Sequence, residues 1–389
     1  MRHFGHIAPE ERQRLFHREP NVFTADSPSR VLATALGATL YSPATRPRLA
    51  DDILKQAASG VVSMVLCLED SIDDSEVAGA EENLVRQLTD LAGRKDAGEP
   101  PLLFVRVRFP EQIGDLVQRL GPAVRLLSGF VMPKFTEERG TPFLEALASA
   151  EAASRRRLFA MPVLESPELL YRESRVDTLE GISRAVDKYR DRVLALRLGV
   201  TDFCSSYALR RAPDMTAYDV QVVASVIADV VNMLGRADGT GFTVTGPVWE
   251  YFRVQERMFK PQLRRSPFLE GQAEELREAL IEHAMDGLLR EIALDQANGL
   301  MGKTCIHPSH VLPVHALSVV SHEEFSDAQD ILRPERGGGG VLRSAYTNKM
   351  NEVKPHRAWA ERTLLRAEVF GVANEDIGFV ELLTAGLPA

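Results

Sequence analysis

Acids and bases stand at the ends of short apolar runs along this chain. In order they are Glu69-Asp70, Arg106 with Arg108, Lys134, Glu165, Asp202 and His307, with the uncharged Gly246-Pro247 closing the run before the last. Glu165 is the sharpest case. Ser166 suits a helix N-cap and Pro167 the first turn after it, so the preceding strand stops at Glu165 and leaves its carboxyl outermost. Asp202 closes the next apolar run. Either acid alone could equally cap a helix or pair with an arginine. Two hard carboxylates from adjacent strand ends favour Mg2+ over zinc, with Mn2+ as a substitute.

The neighbours of this pair read less sharply. Arg106 lies in an apolar run, where a guanidinium needs a carboxylate partner. Glu69 could supply it in a salt bridge, and so could a substrate carboxylate bound bidentately. Glu69 and Asp70 precede Ser71-Ile72-Asp73-Asp74-Ser75-Glu76, a stretch full of capping residues. The two acids either serve that turn or lie beside the metal. Lys134 forms a Schiff base if its pKa is lowered, and otherwise an ion pair. His307 is a base or part of a structural His-Pro turn. Cys67, Cys204 and Cys305 read as packing residues.

Eight β-rich runs must carry these groups: Ala38–Pro43, Ser63–Asp70, Leu102–Val107, Gly129–Lys134, Leu158–Glu165, Val193–Asp202, Phe242–Pro247 and Thr304–Pro308. Several are apolar on both faces, as parallel strands buried on two sides are. Helical patterns fill the gaps, at Arg46–Ser59, Ser75–Leu91, Glu111–Leu120, Pro142–Ser154, Pro167–Tyr189, Ala217–Leu234 and Glu270–Ala297. The fold class expected is α/β, a (β/α)8 TIM barrel, whose chemistry sits at the C-terminal ends of its strands. A Rossmann sheet would need a G-x-G-x-x-G turn after its first strand, and there is none. The expected division is a leader over 1–30, the barrel over 31–320 and a helical extension over 321–389. The irregular stretches 203–216 and 235–241 and the Arg-rich connection 248–270 would shape the pocket or be plain surface insertions. The glycines Gly337 to Gly340 mark a hinge before a helical lid, or before an arm reaching a neighbouring subunit.

Bulk properties narrow the classes. With 44% hydrophobic and 26% charged residues the chain is of the soluble globular type. A net charge of −9 argues against nucleic acid or an anionic membrane as partner. Three cysteines without CxxC spacing give neither a disulfide framework nor a zinc site, which fits a reducing cytoplasm. The sequence carries no signal-peptide pattern and no apolar run of membrane-spanning length.

The ordered motifs resemble the HpcH/HpaI aldolase and citrate lyase β-subunit family, which includes malyl-CoA lyase. Leu40-Tyr41-Ser42-Pro43-Ala44-Thr45-Arg46-Pro47 is similar to its opening strand and turn, and Leu68-Glu69-Asp70-Ser71 to its "LEDS". Val105-Arg106-Val107-Arg108, Val131-Met132-Pro133-Lys134, Leu164-Glu165-Ser166 and Leu198-Gly199-Val200-Thr201-Asp202-Phe203 follow in the family's order. Gly302-Lys303-Thr304-Cys305-Ile306-His307-Pro308-Ser309 is close to "GKWAIHPSQ". The chain looks like the divergent bacterial branch of TIM-barrel C–C bond lyases. The resemblance implies a metal-dependent barrel, a homo-oligomer as trimer or hexamer, that makes or breaks a C–C bond beside a carbonyl through an enolate. Carried over by position, Glu165 and Asp202 would bind Mg2+, with Glu69 and Asp70 beside it. Arg106 would hold the carboxylate or enolate oxygen of a small-molecule substrate, and Arg46, Arg108, Lys134, Gly246, Pro247 and His307 would complete its pocket.

Three departures leave a CoA thioester open as substrate. Gly37-Ala38 stands for the family's Arg-Ser, Arg108 for its asparagine, and Asn348-Lys349-Met350-Asn351 for a stretch that carries an aspartate. Two other readings stay open: a metal-free Schiff-base aldolase using Lys134, and a non-catalytic metabolite- or partner-binding protein of a stress-response system.

Overall fold

Eight parallel strands run in chain order around a barrel: β1 (Ala38–Pro43), β2 (Ser63–Cys67), β3 (Leu102–Arg106), β4 (Leu127–Met132), β5 (Phe159–Leu164), β6 (Leu196–Leu198), β7 (Val244–Thr245) and β8 (Lys303–Cys305). The computed structural model describes residues 1–94, 98–252, 285–333, 339–346 and 348–386. β8 pairs with β1 through Ala38↔Lys303, Thr39↔Thr304 and Leu40↔Cys305. On its other side a single bridge, Gly246↔Lys303, closes the ring onto β7. Gly246 N–H donates to Gly302 O at 3.0 Å, and Thr304 N–H to Gly246 O at 3.2 Å. All residues of β2, β4 and β5 are buried, one face in the barrel and the other under helices, as their two-sided apolar runs require.

Amphipathic helices form the outer layer. Glu111–Leu120 buries Ile113, Leu116, Val117 and Leu120, the stripe expected at 3.6 residues per turn. Some boundaries differ from the pattern in the sequence. The expected run Pro167–Tyr189 breaks into a short 3-10 turn, Pro167–Leu169, and the helix Arg175–Lys188. Arg175 holds the break, donating to Leu169 O and Leu170 O at 2.7 and 2.8 Å. The helix expected from Pro142 begins at Glu137 instead, because Thr136 caps it by accepting from Arg139 N–H.

The largest difference is the sixth strand. It ends at Leu198, and residues Val200–Ser205 are helical. Asp202 therefore sits in the first turn of a short helix and not at a strand end. The β-branched Val200 and Thr201 argue locally for a strand, but an acid at the positive end of a helix is favourable.

The end of the barrel where the strands begin is closed by two helices. Val31, Leu32 and Leu36 of the helix Ser29–Ala35 and its C-cap pack with Val369 and Phe370 against Leu102, Phe159 and Leu194. The C-terminal helix Val353–Phe370 thus covers the strand-beginning end of its own barrel, opposite the end where a lid would act. Strand Phe16–Arg18 pairs antiparallel with Val372–Ala373. Most of the Arg-rich connection (253–270), the first part of the expected helix from Glu270 (270–284), and Gly337 and Gly338 of the hinge lie outside the described residues. Among the described residues no helix is long and apolar enough to cross a membrane.

Candidate active site

Four consecutive strands deliver charge to one spot. Glu69 follows β2, Arg106 ends β3, Lys134 follows β4 and Glu165 follows β5. Arg106 Nη2 lies 2.7 Å from Glu69 Oε2, 2.9 Å from Glu165 Oε1 and 3.4 Å from Asp70 Oδ2. Lys134 Nζ lies 3.4 Å from Glu69 Oε1 and 4.0 Å from Asp70 Oδ1. The backbone at Lys134 has φ +49°, in the left-handed region, and its N–H donates to Glu165 Oε1 at 2.9 Å. A side-chain-bearing residue held there is backbone strain of the kind that gathers at functional sites.

The carboxyls are unsettled as anions. Glu165 is 4% exposed, and its pKa is pushed up to about 7. Burial is the first cause; Arg106 opposes it, and the charges of Asp202 and Glu69 add to it. Asp202, half-buried, meets the Glu165 carboxyl and is raised by burial and then by Asp70, against Arg106 and Lys134. Glu69 is also raised, by burial first, with Arg106 opposing. Burial works against the charge of Arg106, yet Glu165 and Glu69 outweigh it and raise its pKa. Lys134 follows suit: burial lowers, Glu69 and Asp70 raise more. Four carboxylates therefore face two cations.

Gly199 makes room for this cluster. A Cβ on it would fall 2.3 Å from Glu165 Cβ and 2.5 Å from Glu165 Oε2, closer than any side chain tolerates. Its signal in the sequence was a glycine inside an otherwise apolar run.

The other expected site residues do other work. Arg108 Nε donates to Leu68 O at 2.6 Å, and Nη2 to Glu69 O and Ile72 O at 3.3 and 3.2 Å. Nη1 pairs with Asp74. These donors go to the loop that carries Glu69 and Asp70. Arg46 pairs with Asp52 at 2.5 Å on an exposed surface. Gly246 serves the barrel seam, since a Cβ there would lie 2.4 Å from Asp295 Oδ2 and 2.8 Å from Gly302 O. Pro247 is buried beside it. His307 caps the turn Pro308–His310, its Nδ1 accepting from Ser309 N–H at 3.3 Å, and its ring stacks on Phe252 at 4.7 Å.

Sequence reasoning missed two buried groups. Arg197, in β6, is 1% exposed inside the barrel and donates to Thr304 Oγ1 at 2.6 Å and Thr39 Oγ1 at 3.3 Å. Its signal was the one that singled out Arg106, an arginine in an apolar strand. Behind β8, Lys303 Nζ lies 2.7 Å from both Glu291 and Asp295, and Arg211 lies 2.6 Å from Glu291. Tyr218 OH donates to Asp295 Oδ1 at 2.9 Å. This network anchors the 203–216 segment to the helix Asp286–Ala297.

The family model for C–C bond lyases of the TIM-barrel fold matches residues 30–372. The chain belongs to that family. This TIM-barrel lyase is similar in structure to the protein CitE from Mycobacterium tuberculosis, solved with magnesium, acetoacetate and coenzyme A. The TM-score is 0.52 at 19% identity, over 85% of this chain and 97% of that one. The Haloferax volcanii malate synthase magnesium/glyoxylate complex gives a TM-score of 0.50 at 14% identity, over 71% of this chain and 73% of that one. At such identities the likeness is one of fold. No curated protein matches the sequence. Among the described residues of the lyase, no group of three or more His, Cys, Asp or Glu side chains is disposed to hold a metal ion.

Proposed function

We propose that the chain is an Mg2+-dependent lyase that cleaves or forms a C–C bond beside a carbonyl, on a substrate bearing a carboxylate. The observation that carries this reading is the excess of acid at the mouth, four carboxylates against two cations. When all four are ionised the site carries two uncompensated negative charges, and a divalent cation from solution would offset them and favour the ionised forms. Mg2+ is commonly held by one or two protein carboxylates, with water and substrate oxygens completing its shell. Glu165 and Asp202, whose carboxyls meet, fit that donor set without a third protein acid.

When bound, Mg2+ supplies a Lewis acid beside an oxygen that gains negative charge. The protein groups do the rest. Arg106, kept cationic by its acidic neighbours, offers a fixed positive charge to the same oxygen or to the substrate carboxylate. Lys134 adds a second cation at the more exposed rim. Gly199 and the Lys134 N–H hold Glu165 in one orientation. In the cleavage direction, the electron pair of the breaking C–C bond passes to the fragment that keeps the carbonyl, as an enolate that then takes up a proton. The hydroxyl of the other fragment gives its proton to a carboxylate of the mouth and becomes the new carbonyl. The CitE and malate synthase structures, which contain magnesium with small oxo compounds, support this reading.

The Schiff-base alternative is disfavoured, because a nucleophilic lysine needs a lowered pKa and that of Lys134 is raised. Calorimetric titration with Mg2+ or Mn2+ in the presence of pyruvate or oxaloacetate tests the proposal. Saturable binding that disappears in Glu165→Gln is expected. Binding that persists in that variant, or no binding in the native protein, overturns it. A mass-spectrometric substrate screen with and without CoA thioesters then decides the substrate class.

A further inference from the structure

At the opposite end of the barrel lies a cavity of about 320 Å³. Its walls come mainly from two parts of the chain, with Ser318 and the single acid Glu324 added from two others. Gln296 and Gly302 belong to the barrel, while Trp359, Arg362, Thr363 and Arg366 lie along one face of the C-terminal helix. Arg362 and Arg366 are one helical turn apart, so both guanidiniums reach the same space.

The cavity is short of negative charge. Arg362 Nη2 donates to Gly299 O and Leu300 O at 2.8 and 3.3 Å, both neutral carbonyls. Its pKa is lowered by the surrounding protein first and by Arg366 second, so the two cations oppose one another. Arg366 Nη2 lies 3.0 Å from Glu324 Oε2. That oxygen is shared, accepting also from Ser321 N–H and Ser321 Oγ at 3.2 Å each in the cap of its own helix. Arg366 Nε is buried without a hydrogen-bond partner among the described residues. Trp359, 38% exposed, forms an aromatic wall beside the arginines.

We propose that this cavity is a binding site for a small phosphate monoester bearing a planar ring, distinct from the mouth. A phosphate monoester carries close to two negative charges at neutral pH and accepts from two guanidiniums at once. The volume lies at the lower end of the range for small-molecule sites, which suits one phosphate and one ring. The ligand bridges the C-terminal helix and the segment leading into β8, so binding holds the two together.

The test uses the full chain with AMP and inorganic phosphate as probes, followed by calorimetry, thermal unfolding and tryptophan fluorescence. AMP is expected to bind saturably, raise the melting temperature and change a fluorescence signal that Trp359→Phe removes. Inorganic phosphate should bind the same arginines more weakly. Arg362→Gln should weaken both about tenfold or more, and the milder Arg362→Lys should retain part of the affinity. Glu165→Gln should leave AMP binding unchanged. No saturable binding of either probe overturns the proposal, as does binding indifferent to Arg362→Gln or lost in Glu165→Gln.

Discussion

Two charged clusters in this barrel differ in one respect. Behind β8, Glu291, Asp295 and, at 3.7 Å, Glu250 face Arg211 and Lys303, and all of these but Glu250 are almost wholly buried. At the mouth, Glu69, Asp70, Glu165 and Asp202 face only Arg106 and Lys134. The first cluster satisfies itself and serves the fold. Burial raises an acid in each, Asp295 and Glu165 both to about 7, but the second is open to solvent at Asp70 and Lys134, where a cation from outside can enter. Access to solvent thus separates scaffold from site where the burial of a single acid does not, since Glu165 and Glu291 are both buried.

Breaking the mouth should give the largest effect. Glu165→Gln is expected to lower lyase turnover by about 10²–10³-fold or more, the scale of losing a key electrostatic group. The melting temperature should hold or rise, because a strained buried acid is removed. A steady-state assay beside a thermal melt reads both, and a large loss of stability in this variant would contradict the comparison.

Breaking the closed cluster should do the reverse. Glu291→Gln leaves Lys303 and Arg211 under-compensated and should cost about 3–5 kcal/mol of stability. Urea unfolding measures this, and the protein still folded should keep its Mg2+ affinity. A smaller effect is expected from Gly199→Ala. The added methyl displaces the Glu165 carboxyl, so Mg2+ affinity should fall about 10–100-fold, as when a ligand's support is lost. Unchanged affinity in calorimetry would sink the positioning role of Gly199.

At neutral pH the smallest effect belongs to buried groups with no charge partner. His3 and His315 are fully buried, with ring centroids 4.4 Å apart. Burial holds His3 down to about 3, and burial, then His3 and His6, hold His315 well below its ordinary value. Both stay neutral when folded, while the unfolded chain takes up protons below about 6.5. The unfolded state then binds more protons, so stability is full above about pH 6.5 and falls as pH drops towards 3. The slope is about 1 kcal/mol per pH unit for each histidine. His3→Phe should flatten the fall in urea midpoints between neutral and mildly acid pH.

The barrel was legible because its strands are apolar on both faces and its helices on one, patterns that need only neighbouring residues. Glu165 was legible for a similar reason, the Ser166-Pro167 stop beside it. The hydroxyl of Ser166 nonetheless makes no capping bond, so the stop rests on the proline alone. Asp202 was found as a residue but misplaced as an element, since Val200 and Thr201 favour a strand locally. The loop contacts of Arg108 were not legible, because acceptors such as Leu68 O lie 40 positions away. The closed network was invisible for the same reason, with Arg211 and Glu291 separated by 80 positions.

The ring itself has an unequal circumference. β1 to β5 are joined along four to five paired residues at most contacts, whereas β7 holds β8 through one bridge at Gly246. Local opening follows the fewest bonds. In hydrogen–deuterium exchange the amides of Gly246 and Thr304 should therefore lose protection before those of β2 to β4. The barrel would unzip at that seam first, leaving the acids on β2 to β5 together while the buried lysine of β8 meets water.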